Sequence, residues 1–299
     1  MTARADSVDA ASAFDTKARK QSTVIMRRFL RHRMAMASLV VFLLLAVFGF
    51  ILPMFWKYNY ADTSSAPYLP ISGDHPLGTD RDGSDMLAML MRGTQYSIQI
   101  AFVVAILATI IGVVLGSLAG YLKGWVDSVI MRLTDLFLLF PYVAVAAILI
   151  HKFVGAWYIV SLVLVLFAWM QTARINRGEA LSLSEREFVE AAKAAGAGPW
   201  AIIFKHLVPN MIGTITVNAT LSVAQAILAE AALSFIGLGV QSPDTSLGLI
   251  VHDNYQQFLS RPWLFWGPFV VIVLISLAIN FIGDGLRDAF DPRQTKVRA

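Results

Sequence analysis

The run SIQIAFVVAILATIIGVVLGSLAGYL, residues 97–122, contains no charged residue. About 20 mainly apolar residues suffice to cross the hydrocarbon core of a bilayer as a helix. A soluble helix of this length would show a charged face. None is present, so the run reads as a membrane span. Working outward, five further stretches qualify: 34–55, 126–150, 156–170, 211–236 and 264–282. The expected fold is therefore all-α, a polytopic membrane protein with six transmembrane helices. Composition agrees, since the 299 residues are 57% hydrophobic and 15% charged, whereas soluble chains carry about a quarter charged residues. The chain has no cysteine, which excludes disulfides, thiolate metal sites and a Cys nucleophile.

Lys and Arg set the orientation, because they accumulate in cytoplasmic loops. Nineteen of the 24 lie before position 34, at Lys123 and Arg132, between Arg174 and Lys205, or after position 286. Lys57, Arg81, Arg92, Lys152 and Arg261 fall on the opposite side. Both termini are thus expected in the cytoplasm, and the basic balance needs no nucleic acid to explain it. The apolar run 34–55 is too long for a signal-peptide core and lacks an obvious small-residue cleavage site, so it reads as a retained span. The chain divides into a basic cytoplasmic tail, 1–33, and the first span with its external loop, 34–95. A core at 96–290 follows, with a cytoplasmic loop at 171–210, and then a tail at 291–299. The first external loop carries the turn formers Pro67, Pro70, Gly73 and Pro76. A second, 237–263, is expected to hold a short helix around 247–259, with Trp263 and Trp266 placed as interfacial anchors.

The cytoplasmic loop is too patterned to be a connector. Ser184-Glu185-Arg186-Glu187 fits a capping box. A short helix is expected from there through Ala195, ended by Gly196 with Gly198 and Pro199 enforcing the break. A second short helix is expected over 199–206, and Pro209-Asn210 opens the fifth span. Within the spans, Glu230 stands out, because an ionised side chain at mid-bilayer costs about 2.5–3.5 kcal/mol on insertion scales. It must face either a watery pathway or a helix-packing hydrogen bond. Gln225, Ser234 and Asp135 join it as candidates for a translocation pathway. Asn218, Gln225 and Asn280 equally suit interhelical hydrogen bonds, at about 0.6 kcal/mol each, and Asp135, one turn after Arg132, suits a local ion pair. Gly112, Gly116 and Gly120 form a stripe that permits close helix approach. Pro141 is expected to kink the third span.

Glu190-Ala191-Ala192, three residues, Gly196, nine residues, then His206-Leu207-Val208-Pro209 resembles the EAA motif of binding-protein-dependent ABC importer permeases. The resemblance implies a coupling helix seated in a cleft of a cytoplasmic ATPase, with Glu187, Glu190, Ala191, Ala192, Gly196, His206 and Pro209 as the coupling set. Glu190 would dock by charge or hydrogen bonding, Ala191 and Ala192 by close packing, and Gly196 by turning the chain. His206 replaces the aliphatic residue of many members, as the peptide branch often does. An amphipathic helix lying on the membrane surface is the alternative reading of this segment.

Three further stretches are similar to signatures of the dipeptide/oligopeptide branch, C-type subunit. They are His75-Pro76-Leu77-Gly78-Thr79-Asp80 with Gly83 and Asp85; Leu233-Ser234-Phe235-Ile236-Gly237-Leu238-Gly239; and Asn280-Phe281-Ile282-Gly283-Asp284-Gly285-Leu286-Arg287-Asp288 with Asp291-Pro292. Together the motifs cover about residues 30–293. They imply a bacterial inner-membrane, multi-pass subunit with a second homologous permease, two ATPase domains that carry ATP and Mg, and an extracytoplasmic substrate-binding protein landing on the two external loops. Peptides are the implied cargo, although nickel, glutathione and haem belong to the same branch. No cofactor is expected on this chain. Ser84 and Gln95 stand where the branch commonly has Arg, and Leu247 where it often has Trp; these departures bear on the docking surface and the substrate.

No G-x-x-x-x-G-K-[ST] sequence occurs, so the chain has no P-loop, and any ATP hydrolysis belongs to a partner. The five histidines are scattered, and no G-x-S-x-G elbow is present, which argues against a metal centre or hydrolase. Two rivals from other classes are an ion-coupled secondary transporter and a non-transporting scaffold. The first needs a charged relay or inverted repeats, and neither is evident; an uptake assay separates the second.

Overall fold

The computed structural model describes residues 21–153 and 155–290. The tail 291–299 and the first 20 residues of the expected tail 1–33 lie outside the described residues. An amphipathic helix α1, Gln21–Arg31, precedes the first span, α2, Arg33–Phe50. After an irregular segment come α3, Met86–Leu122; α4, Gly124–Leu139; α5, Tyr142–Lys152; and α6, Trp157–Leu183. The short α7, Glu187–Ala194, leads by a helical run at 199–210 into α8, Ile212–Phe235. Helices α9, Leu247–Asn254, and α10, Pro262–Phe290, complete the bundle. Among the described residues five helices are long and apolar enough to cross a membrane, and six spans result if the bent pair α4–α5 counts as one.

Four expectations are corrected, each for a physical reason. Helix α3 starts at Met86 rather than 97, so position 95/96, the division drawn from sequence, lies inside a helix. Asp85 caps it, accepting from the Ala88 N–H at 2.9 Å. Arg92 does not end it, because its guanidinium stacks on Tyr60 and Tyr96, 4.8 and 4.0 Å from their ring centres. Pro141 breaks the third span instead of kinking it, and α4 and α5 meet at 77°. Helix α6 continues 13 residues past the expected end at 170, into the supposed loop. Its polar extension is accommodated because Arg174 pairs with Asp135 and Arg177 with Asp127, both on α4. Finally, Ser184 does not form the capping box. Its hydroxyl donates back to the Leu181 carbonyl at 2.8 Å, and α7 has Arg186 at its N-cap with no side-chain cap bond.

The glycine stripe performs as expected. A Cβ on Gly112 would lie 2.6 Å from Thr172 Cβ, and one on Gly120 2.7 Å from the Arg177 carbonyl. Glycine therefore lets α3 and α6 pack backbone to backbone, which makes theirs the most extensive helix contact in the bundle. Much of the outer surface is apolar, with Leu43, Leu44, Ile106, Ile110 and Leu277 all exposed. That is the surface of a helix bundle solvated by lipid.

Candidate functional site

The segment between α6 and α8 is anchored from one side only. Val189 of α7 is fully buried against Ala180, Ile202, Ile203, Leu207 and Met211, and Leu118 and Tyr121 at the end of α3 close the cluster. Ala192, three residues on, is buried beside it. On a helix the residues three and four apart share a face, so Glu187, Glu190, Ala191 and Ala194 occupy the opposite one. All four are exposed. The expected coupling set thus divides: Glu187, Glu190 and Ala191 present a free acidic and small-residue face, whereas Ala192 packs within its own chain. The two acidic side chains sit in the first turn of α7, where they favour the helix dipole by about 0.3–1 kcal/mol each.

Gly196 ends α7 in the left-handed region, at φ +83°. Its N–H donates to the Lys193 carbonyl at 2.9 Å and that of Ala197 to Ala192 at 3.0 Å, a Schellman closure. A Cβ at Gly196 would meet nothing within 4 Å, so conformation, not space, calls for glycine here. The chain then enters the bundle through a π-helical turn, Ile202–Leu207. This wider turn precedes Pro209, which cannot donate and crowds the carbonyl four residues before it. The half-buried His206 contributes its carbonyl, accepting from Asn210 Nδ2 at 2.6 Å. Trp200 and Phe204, 62% and 46% exposed, stack with ring centres 5.9 Å apart. Their i,i+4 spacing is the signal for this pair that the sequence carries.

Among the pathway candidates, Glu230 and Ser234 come together and the others stand apart. Glu230 is fully buried, with Ser97 of α3 donating to Oε2 at 3.0 Å and Ser234 to Oε1 at 2.7 Å. Gln225 is exposed on α8. Asp135 pairs with Arg174 across helices, not with Arg132 along its own.

The motif around His75 folds into a knot on the segment between α2 and α3. His75 Nδ1 lies 2.8 Å from Asp85 Oδ1, both buried, and the His75 ring stacks on Tyr58. Asp85 also accepts from Trp56 Nε1 at 2.9 Å. Thr79 Oγ1 accepts from the Leu69 N–H and donates to the Ala66 carbonyl. Asp80 accepts the N–H groups of Asp82 and Ser84, and burial raises its pKa above the ordinary carboxylate value. Two of the family departures, Ser84 and Leu247, are buried, so they cannot meet a partner on the surface.

Spans crossing a membrane and a structured loop held at their Lys- and Arg-rich end make this a polytopic transport permease. Residues 112–296 match the family described as the binding-protein-dependent transport system inner membrane component, and residues 21–70 match the N-terminal TM domain of oligopeptide transport permease C. The chain belongs to this family of ABC importer permeases of the inner membrane. Its relatives include proteins named oligopeptide transport system permease protein OppC. That of Mycobacterium tuberculosis is 41% identical over 286 residues, covering 95% of this chain and 98% of the relative. Those of Salmonella typhimurium and Bacillus subtilis are 42% and 35% identical, covering 89% and 91% of this chain and 89% of each relative. The fold is similar to a chain of the MetNI methionine ABC transporter in an inward-facing conformation, with a TM-score of 0.57, 21% identity, and coverage of 69% of this chain and 98% of that one. Membership implies, in general terms, a partner permease, ATPases and a substrate-binding protein.

Proposed function

We propose that this chain forms half of the translocation pathway of an ATP-driven oligopeptide importer, with a second, homologous permease supplying the other half. The observation that carries this reading is the two-sidedness of α7. It is fixed to the ends of α3, α6 and α8 through Val189, and it offers Glu187, Glu190 and Ala191 outward. Such a helix can be pushed by a partner and move the spans with it. The names of the relatives support oligopeptides as cargo. In this reading both termini and α7 lie in the cytoplasm, and the segments 51–85 and 236–261 face outward to receive a substrate-binding protein. Two partner ATPase domains carry ATP and Mg; their closure on α7 favours an outward-open cavity, and hydrolysis resets it. Gln225, exposed on α8, is the pathway candidate available to a peptide.

The test is a reconstituted importer carrying Glu190→Lys or Gly196→Val. Membrane insertion is expected to persist while uptake and substrate-stimulated ATP hydrolysis are lost. Normal stimulation in both variants would refute the coupling role of α7.

A further inference from the structure

We infer that Glu230 is the positioning residue of an external gate, in which Ser97, Ser234 and Ser246 latch α9 between α3 and α8. The inference rests on the importer reading above and assigns the part of the chain that closes its outer side.

Helix α9 does not lie on the surface. Leu247, Gly248, Ile250 and Val251 are buried, and α9 packs against α3, α8 and α10. Its first turn is tied to both neighbours through one carboxylate. The Leu247 N–H donates to Ser97 Oγ at 3.3 Å, and Ser97 donates to Glu230. On the other side Ser246 donates to Ser234 Oγ at 3.1 Å, and Ser234 donates to Glu230. Two hydroxyl chains thus converge on one acceptor, each oxygen of which takes one donor.

The same contact brings the backbones close, with Ile250 Cδ1 2.8 Å from where a Cβ on Gly93 would lie. A Cβ on Gly93 of α3 would lie 3.1 Å from the Leu247 nitrogen, and one on Gly248 2.7 Å from Ala231 Cα. Water entering an outward-open cavity replaces the hydroxyl partners of Glu230, so parting leaves no orphaned polar group. Beyond α9 the chain projects Tyr255, Phe258 and Leu259, the last 88% exposed. These give a docked partner a handle on the gate.

The natural absence of cysteine makes the test direct. Ser234→Cys with Ser246→Cys places two thiols where hydroxyls sit 3.1 Å apart, within reach of a disulfide after a small rotation. In the complete importer reconstituted in proteoliposomes, oxidation is expected to cut uptake about tenfold or more, and reductant to restore it. In a second measurement, a single Thr245→Cys is expected to resist an impermeant maleimide at rest, because Thr245 is buried. It should become reactive with binding protein and a non-hydrolysable nucleotide, and Glu230→Gln should raise its resting reactivity several-fold. Uptake unaffected by a cross-link verified by mass, or Thr245→Cys equally protected in every state, overturns the gate. A parent importer, without either cysteine, that neither transports nor shows substrate-stimulated ATP hydrolysis overturns the importer reading, and the gate with it.

Discussion

Val189→Ala should detach α7, the proposed coupling helix, without touching its exposed face. Val189 is 0% exposed and sits in a cluster drawn from the loop and the ends of three spans. The substitution removes the equivalent of two buried methylenes, about 1.6 kcal/mol at roughly 0.8 kcal/mol each, and the residual cavity brings the loss to about 2 kcal/mol. Each 1.4 kcal/mol is tenfold, so the ratio of docked to undocked α7 should fall roughly thirtyfold. An undocked helix of eight residues cannot persist alone, because nucleation is too costly at that length. Undocking therefore melts α7, and hydrogen exchange of its amides in the assembled importer reads the event directly. Exchange from Glu190 to Ala195 is expected to accelerate toward that ratio, with substrate-stimulated ATP hydrolysis falling in parallel. Glu190→Gln is the control: exposed and unpacked, it should lose stimulation while exchange stays unchanged. Exchange in Val189→Ala within about twofold of the parent would refute the claim that this one side chain holds the lever.

Two further outcomes follow from other contacts. The Asp127–Arg177 pair joins α4 to α6 with side chains 18% and 32% exposed, so Arg177→Met should cost about 1–2 kcal/mol after allowing for solvent screening; a lowered thermal midpoint in detergent, partly recovered by adding Asp127→Leu, checks it. Asp80 has its folded pKa raised above 3.8 by burial, so the folded state binds more protons and stability falls as pH rises from near 3.8 through the folded value. Asp80→Asn should remove that decline, so that the variant's loop resists proteolysis equally at pH 4 and pH 7 while the parent's resistance drops.

The bundle was legible because lipid imposes a simple requirement on sequence. Residues 97–122 could be little else, and the spacing of Gly112, Gly116 and Gly120 announced the close contact with α6 that the geometry displays. The left-handed stop at Gly196 was equally plain, since local backbone chemistry dictates it. What sequence did not yield was the distant partner of each polar group. Arg174 and Arg177 read as residues of the cytoplasmic loop because their carboxylates lie on α4, up to 50 residues away. Arg92 read as a loop residue because the rings that hold it come from Tyr60 and Tyr96. Ser184 matched a capping box in spacing, yet the α6 helix had already claimed its hydroxyl. Glu230 admitted two readings for the same reason, and only the convergence of Ser97 and Ser234 distinguishes them.

The proposed lever and the proposed gate sit at opposite ends of the same two helices. The Val189 cluster touches α3 at Leu118 and Tyr121 and meets α8 through Ile215. The Glu230 network touches α3 at Ser97 and α8 at Ser234. At about 1.5 Å per residue, the 21 positions from Ser97 to Leu118 span roughly 31 Å of continuous helix. A packed helix of that length moves as a rod, so a displacement of α7 has a mechanical route to α9 that needs no chain of intermediate rearrangements. Spatial intermediacy alone is not coupling, however; the two sites must bias one equilibrium. A double-mutant cycle decides it. Val189→Ala and Ser246→Ala are separated well beyond the range at which independent sites add within about 0.5 kcal/mol. If α3 and α8 carry the motion, their effects on the nucleotide-dependent reactivity of Thr245→Cys should be non-additive by more than that margin. Strict additivity would mean that α7 and α9 act independently, and the rods would then be scaffolding rather than linkage.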